Sequence, residues 1–256
     1  MELKTQSSSR DLNPVRYSVI AEKNPREIVL LRGKGCSWRR CRFCDYHLDF
    51  NTSDAENFAL NSRVLNAVTG LHRRLEIINS GSFTELDDAT LERVISVCET
   101  RGISQAHFEC HWLQRDAIPA ARARFAAHGI ALKIKIGVES FDALFRESYL
   151  DKGFSHSPTP AEIAAMFDEC CLLQGLPGQT AQRMIADIET GLAHFERVCV
   201  NIMQENSAPV KPDPRVIAVF ASEIYPRYIR DERVDILMAN TDFGVGEKIG
   251  GNENVE

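Results

Sequence analysis

The stretch Arg32-Gly33-Lys34-Gly35-Cys36-Ser37-Trp38-Arg39-Arg40-Cys41-Arg42-Phe43-Cys44-Asp45-Tyr46-His47 sets three cysteines in a C-x4-C-x2-C run, just after the apolar segment Glu27-Ile28-Val29-Leu30-Leu31. Thiols crowded into nine residues of a glycine-flanked loop cannot each find an apolar niche, so they read as ligands to one centre. Spacing alone leaves three possibilities open. A zinc site would be closed by a fourth ligand, for which His47 is the local candidate. An iron-sulfur cluster on three cysteines would leave one iron free for another molecule, and inert thiols would do neither. The apolar run ends at Gly33 and reads as a buried strand, so the cysteines sit at a strand's C-terminal end, where open and barrel-like α/β folds bind ligands.

Outward from this loop the chain repeats a strand and helix pattern. Helical spacing over 54–72 is followed by the strand-like Leu75-Glu76-Ile77-Ile78-Asn79. Asp87-Asp88 offer an N-cap to a helix whose Leu91, Val94, Ile95 and Cys98 share one face, and Gly102 reads as its C-terminal stop. The segments 106–111 and 132–139 alternate apolar and polar residues, with a helix over 119–128 between them. Two further strands fit 170–174 and 198–204, with a helix over 181–195 between them, which makes six strands in all. If helices cover the outside of a barrel, the polar parity faces inward, and Glu109, His111, Lys133, Lys135 and Glu139 would look into the interior. Beyond Ser207 four prolines punctuate the chain, so 207–256 reads as a C-terminal extension that closes one side of the barrel rather than as another repeat. Residues 1–26 read as an N-terminal arm, and the last ten residues are expected to be disordered.

At 256 residues, 44% apolar and 26% charged, the chain can bury one large domain. The arm holds no apolar stretch like a signal peptide and no run approaches the roughly 20 apolar residues that span a bilayer, so a soluble cytoplasmic protein is expected. Eight cysteines in such a compartment are not a disulfide framework. Cys98, Cys110, Cys170, Cys171 and Cys199, scattered through helix-like and strand-like segments, read as small apolar core residues. A formal charge of -6 suits a small molecule better than a long phosphate backbone.

The cysteine run, the strand and helix repeat and the later glycine motifs together resemble the radical S-adenosylmethionine (SAM) enzymes over 27–206. The matching elements are Cys36, Cys41 and Cys44, Phe43 before the last cysteine, Asn79-Ser80-Gly81-Ser82, Gly137-Val138-Glu139-Ser140, and Gly175-Leu176-Pro177-Gly178-Gln179-Thr180. The usual family spacing is C-x3-C-x2-C; this chain has one residue more, in a loop that only has to deliver three sulfurs to three irons. The resemblance implies an α/β fold, a partial (β/α)6 TIM-like barrel. It also implies a [4Fe-4S] cluster on Cys36, Cys41 and Cys44, with the amino and carboxylate groups of SAM on the fourth iron. Phe43 and the turn from Gly175 to Gly178 would lie near adenine, Asn79, Ser80 and Gly81 near the SAM amino group, and Glu139 and Ser140 near its ribose or carboxylate end. The implied chemistry is electron injection into the sulfonium and release of a 5′-deoxyadenosyl radical.

Within that superfamily, Phe43-Cys44-Asp45-Tyr46-His47-Leu48-Asp49 and Asn240-Thr241-Asp242-Phe243-Gly244 look most like the queuine lyases. That resemblance implies a deazapurine base as substrate and carbon-nitrogen cleavage to 7-aminomethyl-7-deazaguanine, a step of queuosine salvage. Strand parity, rather than a matched motif, nominates Glu109 or Asp242 to read the base edge and His111 or Glu205 to lie near the amine of the cyclopentenyl arm. An electron donor such as a flavodoxin or ferredoxin is implied; a membrane or tRNA partner is not expected. The competing readings are a radical SAM enzyme acting on tRNA and, from another class, a zinc-stabilised binding module built on Cys36, Cys41, Cys44 and His47.

Overall fold

In the computed structural model, which describes residues 14–246, eight strands form one curled sheet in sequence order. β1 (Tyr17–Ile20) runs antiparallel to β2 (Arg26–Leu31). β3 (Arg74–Asn79), β4 (Gln105–Glu109), β5 (Ala131–Glu139), β6 (Glu169–Gln174), β7 (Arg197–Ile202) and β8 (Val234–Leu237) follow, each parallel to the strand before it. The connections carry α1 (Asp54–Leu65), α2 (Asp88–Arg101), α3 (Ile118–Ala126), α4 (Pro160–Ala164), α5 (Ala181–His194), and finally α6 (Pro214–Val219) and α7 (Tyr225–Tyr228), joined by a π-helical turn. Local signals explain the helix ends. The Asp87 carboxylate accepts from Thr90 N at 2.8 Å and Gly102 takes the left-handed φ of 66° that ends α2.

Strand parity separates packing from chemistry. Val29, Leu31, Leu75, Ile77, Phe108, Ile134, Ile136, Leu172 and Val200 join Leu65, Val94, Phe125, Met184 and Ile188 of the helices in the main core. The opposite parity fills the lower interior with a buried charge network. Arg26 pairs with Glu76 and with Asp235 (3.5 Å), and Lys135 pairs with Glu76 and with Glu109 (3.1 Å). Arg197 reaches Glu169 (2.9 Å), Asp235 (3.2 Å) and Glu76 (3.4 Å). Burial opposes the charge of Glu76, but Lys135, Arg197 and Arg26 outweigh it and hold the carboxyl well below the usual range. Such a network is costly to break one partner at a time. Because Arg26 of β2 meets Asp235 of β8, it also draws the two sides of the half-barrel together.

The α/β half-barrel agrees with the sequence reading, with several differences of detail. Residues 17–20 of the arm form β1, whose pairing with β2 covers an edge that would otherwise be open. The C-terminal extension does supply another repeat unit, α6, α7 and β8, contrary to its reading as an appendage; Pro214 opens α6, where no intrahelical N–H is lost, Pro226 lies in the first turn of α7, and Pro209 and Pro212 precede the helices. It also closes the seam, since Val15 N donates to Gly246 O (3.0 Å) and Gly246 N to Val15 O (2.8 Å). The first helix stops at Leu65 rather than running to His72. Lys133 does not face the interior: near the start of β5, its Nζ reaches Glu196 (2.6 Å) and Asp168 (3.5 Å) at the lower rim. The last ten residues lie outside the described residues.

Candidate active site

The loop after β2 lies across the C-terminal ends of the strands and is tied down on several sides. Lys34 N donates to Glu85 O (3.0 Å), Arg42 N to Leu150 O (2.9 Å), and Arg42 O accepts from Val210 N (2.8 Å). Trp38 Nε1 donates to Asp151 O (2.7 Å) and Asn206 Nδ2 to Phe43 O (2.8 Å). The Asp45 carboxylate accepts from Ser207 N and Oγ (2.9 and 2.8 Å). Buried Glu85 accepts from Ser37 Oγ (2.6 Å) and Ser82 N (2.7 Å), bridging the cysteine loop to the loop after β3. A Cβ at Gly81 would lie 2.9 Å from Cys36 Cα and 1.8 Å from Glu85 Oε2, so only glycine lets the two loops touch.

Cys36, Cys41 and Cys44 are half-buried and free in this loop. Burial pushes the Cys41 thiol up to about 11 and the Cys44 thiol to about 12, so at neutral pH these sulfurs need cationic partners to ionise. Among the described residues no three His, Cys, Asp or Glu side chains are disposed to hold one metal ion, and His47 does not close a zinc site with the cysteines. A four-iron cluster asks for something else: each sulfur goes to a different iron, so the thiols need a shared pocket and not a common point. One loop delivering three half-buried thiols beside a buried cation fits that demand.

That cation is Lys152. Its Nζ donates to Glu139 (2.7 Å) and lies 5.5 Å from the centroid of the Phe43 ring. Burial disfavours its charge, but the Glu139 carboxylate outweighs that and keeps the ammonium protonated. Glu139 ends β5 at a register irregularity with φ of 66°, a left-handed conformation that is strained for a glutamate. Gly137 makes room for the pair, since a Cβ there would fall 2.4 Å from Glu139 Oε1 and 2.8 Å from Lys152 Nζ.

Asn79 donates from Nδ2 to Ser82 O (2.9 Å) and leaves its buried Oδ1 without a partner, an acceptor suited to an ammonium. Ser80 Oγ is spent on Asp49 O, and Asp49 is held by Arg16 (2.8 and 3.1 Å). Ser140 turns toward α5, donating to Asp187 (2.8 Å), so its hydroxyl positions the loop after β5. Gly175 and Gly178 take φ of 88° and 84° in a turn held by Gln179, which accepts from Leu176 N and donates to Leu173 O (both 2.9 Å). Phe43 packs beside Leu150, Leu173, Leu176 and Met203 to form an apolar wall.

The four candidate substrate residues separate. Glu109 stands at the top of the charge network with 31% of its side chain exposed, whereas Glu76, Glu169 and Asp235 below it are sealed. His111 lies past the end of β4, where Nε2 donates to Lys152 O (2.8 Å) and Nδ1 accepts from Leu113 N (3.2 Å). Burial and Lys152 lower its pKa to about 4, so the ring is a neutral brace stacked on Trp38 with no free nitrogen for substrate. Glu205 is exposed and paired with Lys211 (2.8 Å), and Asp242 is exposed and accepts from Ala239 N (2.8 Å). Sequence reasoning missed Lys152 and Glu85, which lie in loops where no periodicity points to them. It also missed Glu76, Glu169 and Arg197, which the parity of β3, β6 and β7 could have exposed.

No protein-family profile matches the chain, and no curated protein matches it. Among solved structures, the queuine lyase from Clostridium spiroforme bound to SAM and queuine is similar with 39% identity and a TM-score of 0.86, over 91% of this chain and 99% of that one. The chain belongs to the queuine lyase family. Streptococcus suis SuiB aligns at 11% identity and a TM-score of 0.47, over 81% of this chain and 48% of that one, too distant to carry an argument. Membership of the queuine lyase family makes this a radical SAM lyase on an α/β half-barrel, in keeping with the cysteine loop at the mouth of its strands.

Proposed function

We propose that this protein cleaves queuine at its carbon-nitrogen bond, releasing 7-aminomethyl-7-deazaguanine, with a [4Fe-4S] cluster and SAM as cofactors. The observation that carries this is the 39% identity, across 99% of its length, to a queuine lyase bound to SAM and queuine. Cys36, Cys41 and Cys44 would hold the cluster, and the unpartnered Asn79 Oδ1 would accept from an N–H of the SAM amino group. Glu139 would face the ribose or carboxylate end, with Phe43 and the Gly175 to Gly178 turn beside adenine. When bound, the cluster supplies the electron that breaks a sulfonium carbon-sulfur bond of SAM.

The protein's own part is binding, orientation and exclusion of water. In the interior network, leaving His107 aside, three cations (Arg26, Lys135, Arg197) face four carboxylates (Glu76, Glu109, Glu169, Asp235), an excess of one negative charge. Glu109 is its accessible member. A deazaguanine presents a ring N–H and an exocyclic amine on one edge, and a carboxylate held in place by Lys135 reads such a donor pair well. Asp242, Glu205 and His111 then serve the turn, the surface and the loop brace respectively.

We place the protein in the cytoplasm, supplied by a flavodoxin or ferredoxin, acting on the free base and not on tRNA. The net charge of -6 argues against a long phosphate partner, and no helix of the described residues is long and apolar enough to cross a membrane. The deciding experiment is anaerobic incubation of reconstituted enzyme with SAM, reductant and queuine. The expected products are 5′-deoxyadenosine and 7-aminomethyl-7-deazaguanine; intact queuine with only background deoxyadenosine would overturn the assignment.

A further inference from the structure

We infer that the outer face of the cysteine loop is the docking surface for a small acidic one-electron carrier protein, with Arg40 and Arg42 as its contact points. Between Cys36 and Cys44 every exposed residue except Ser37 is an arginine: Arg39, Arg40 and Arg42. This concentration stands in a chain with 36 acidic against 30 basic residues, so it is a local reversal of the overall sign. Each guanidinium is propped against an aromatic ring, Arg39 on Phe50 (4.8 Å), Arg40 on Trp38 (4.7 Å) and Arg42 on Tyr149 (5.7 Å). Side chains fixed this way lose less freedom when a partner docks. Asp151 offsets part of the charge of Arg40 at 3.2 Å, while Arg39 and Arg42 bond only to backbone carbonyls.

The position points to electron entry. Arg40 and Arg42 are the chain neighbours of Cys41, so a partner on their side chains sits one peptide unit from a cluster ligand. Small redox encounters are weak and steered by complementary charge, and a single basic loop suits them. An RNA would need cations along a longer track. The inference rests on the radical SAM reading of the same loop.

The test follows bleaching of the cluster absorbance in reconstituted wild type, the R40E/R42E double variant and the R40K/R42K double variant, each reduced by flavodoxin or by dithionite. The Arg42 backbone N–H and C=O, which anchor the loop, survive these changes. Charge reversal should slow flavodoxin-driven reduction about tenfold or more. Lysine should largely restore it, dithionite bleaching should stay unchanged, and added salt should slow the flavodoxin reaction of the wild type. Equal flavodoxin rates in all three proteins, or equal slowing with both reductants, would overturn the docking surface. If the reversed variant fails to load iron, a salt-independent flavodoxin rate in the wild type would overturn it alone. Loss of binding to an RNA oligonucleotide with the flavodoxin rate intact would reassign the surface. A wild type with no bleachable iron-sulfur absorbance would instead remove the radical SAM reading itself.

Discussion

Lys152 Nζ donates to Glu139 across 2.7 Å and lies 5.5 Å from the centroid of the Phe43 ring, so one buried cation joins the end of β5 to the cysteine loop. Removing one member of a buried pair strands the other charge, which costs about 3 to 5 kcal/mol. Lys152→Met should therefore lower the melting temperature and the iron loaded per chain. The double change Lys152→Met with Glu139→Gln should regain much of the stability without regaining SAM cleavage. Thermal unfolding and iron analysis of both variants read this, and a single variant as stable as wild type would show that the pair is not buried in solution.

The cysteines should divide by role. Ala at Cys36, Cys41 or Cys44 should abolish the brown chromophore and SAM cleavage together, because each sulfur serves a different iron. Cys98, on the buried face of α2 with no exposure, should behave as a small apolar residue, and Cys98→Ala should cost about 1 to 2 kcal/mol with the chromophore intact. The visible spectrum after reconstitution separates the two outcomes, and cleavage retained in Cys41→Ala would mean that another cysteine is the ligand.

Gly81 makes a sharper test of the loop contact, since its Cβ would press on Cys36 Cα at 2.9 Å as well as on Glu85. Gly81→Ala should destabilise by about 1 to 3 kcal/mol and reduce iron loading even though no ligand is changed. A variant that loads iron normally would indicate that the loop relaxes freely around the new methyl group.

Asp187 gives a pH signature of unusual sign. Burial raises its pKa to about 6 against the hydrogen bonds from Phe141 N (2.7 Å) and Ser140 Oγ (2.8 Å). Between about 4 and 6 the folded chain then binds more protons at this group than the unfolded chain does. Its stabilising contribution is full below about 4 and is lost as pH rises through 6. Asp187→Asn should remove that loss, gaining on wild type by up to about 2 to 3 kcal/mol between pH 4 and 7. Chemical denaturation across that range measures the difference, and a flat difference would mean that the carboxyl is not desolvated.

How legible was this in the sequence? The barrel strands were readable because their outward parity carries the apolar residues that pack on helices, as Ile134, Ile136 and Val138 do. β1 and β8 were not, since a four-residue strand such as Tyr17–Ile20 or Val234–Leu237 carries too few residues to establish a period. The cysteine triad declared itself by crowding. Lys152 could not, because its partners Glu139 and Phe43 lie 13 and more than 100 residues away in the chain. His111 misled for a related reason: parity put it inward, but β4 ends at Glu109 and the chain turns, giving both ring nitrogens to backbone groups.

The substrate contacts remain the most specific expectation, and the four nominated residues can be set against one another. Glu109 is half open above Lys135, while Glu205 and Asp242 are exposed and already serve a surface pair and a turn. Glu109→Gln keeps the shape but gives up the charge and one acceptor, so the donor edge of the base loses a charge-assisted pair of roughly 1.5 to 3 kcal/mol. That corresponds to a roughly ten- to hundredfold weaker binding of queuine. Glu205→Gln should leave binding unchanged, and Asp242→Asn should change it little while loosening the turn at Ala239. His111→Asn should act through the loop, lowering iron loading and not queuine affinity as such. Calorimetric titration of queuine into each reconstituted variant in the presence of SAM ranks them directly. If Glu109→Gln binds queuine as tightly as wild type while Asp242→Asn does not, the base edge is read by the C-terminal segment, and Glu109 serves only to balance Lys135.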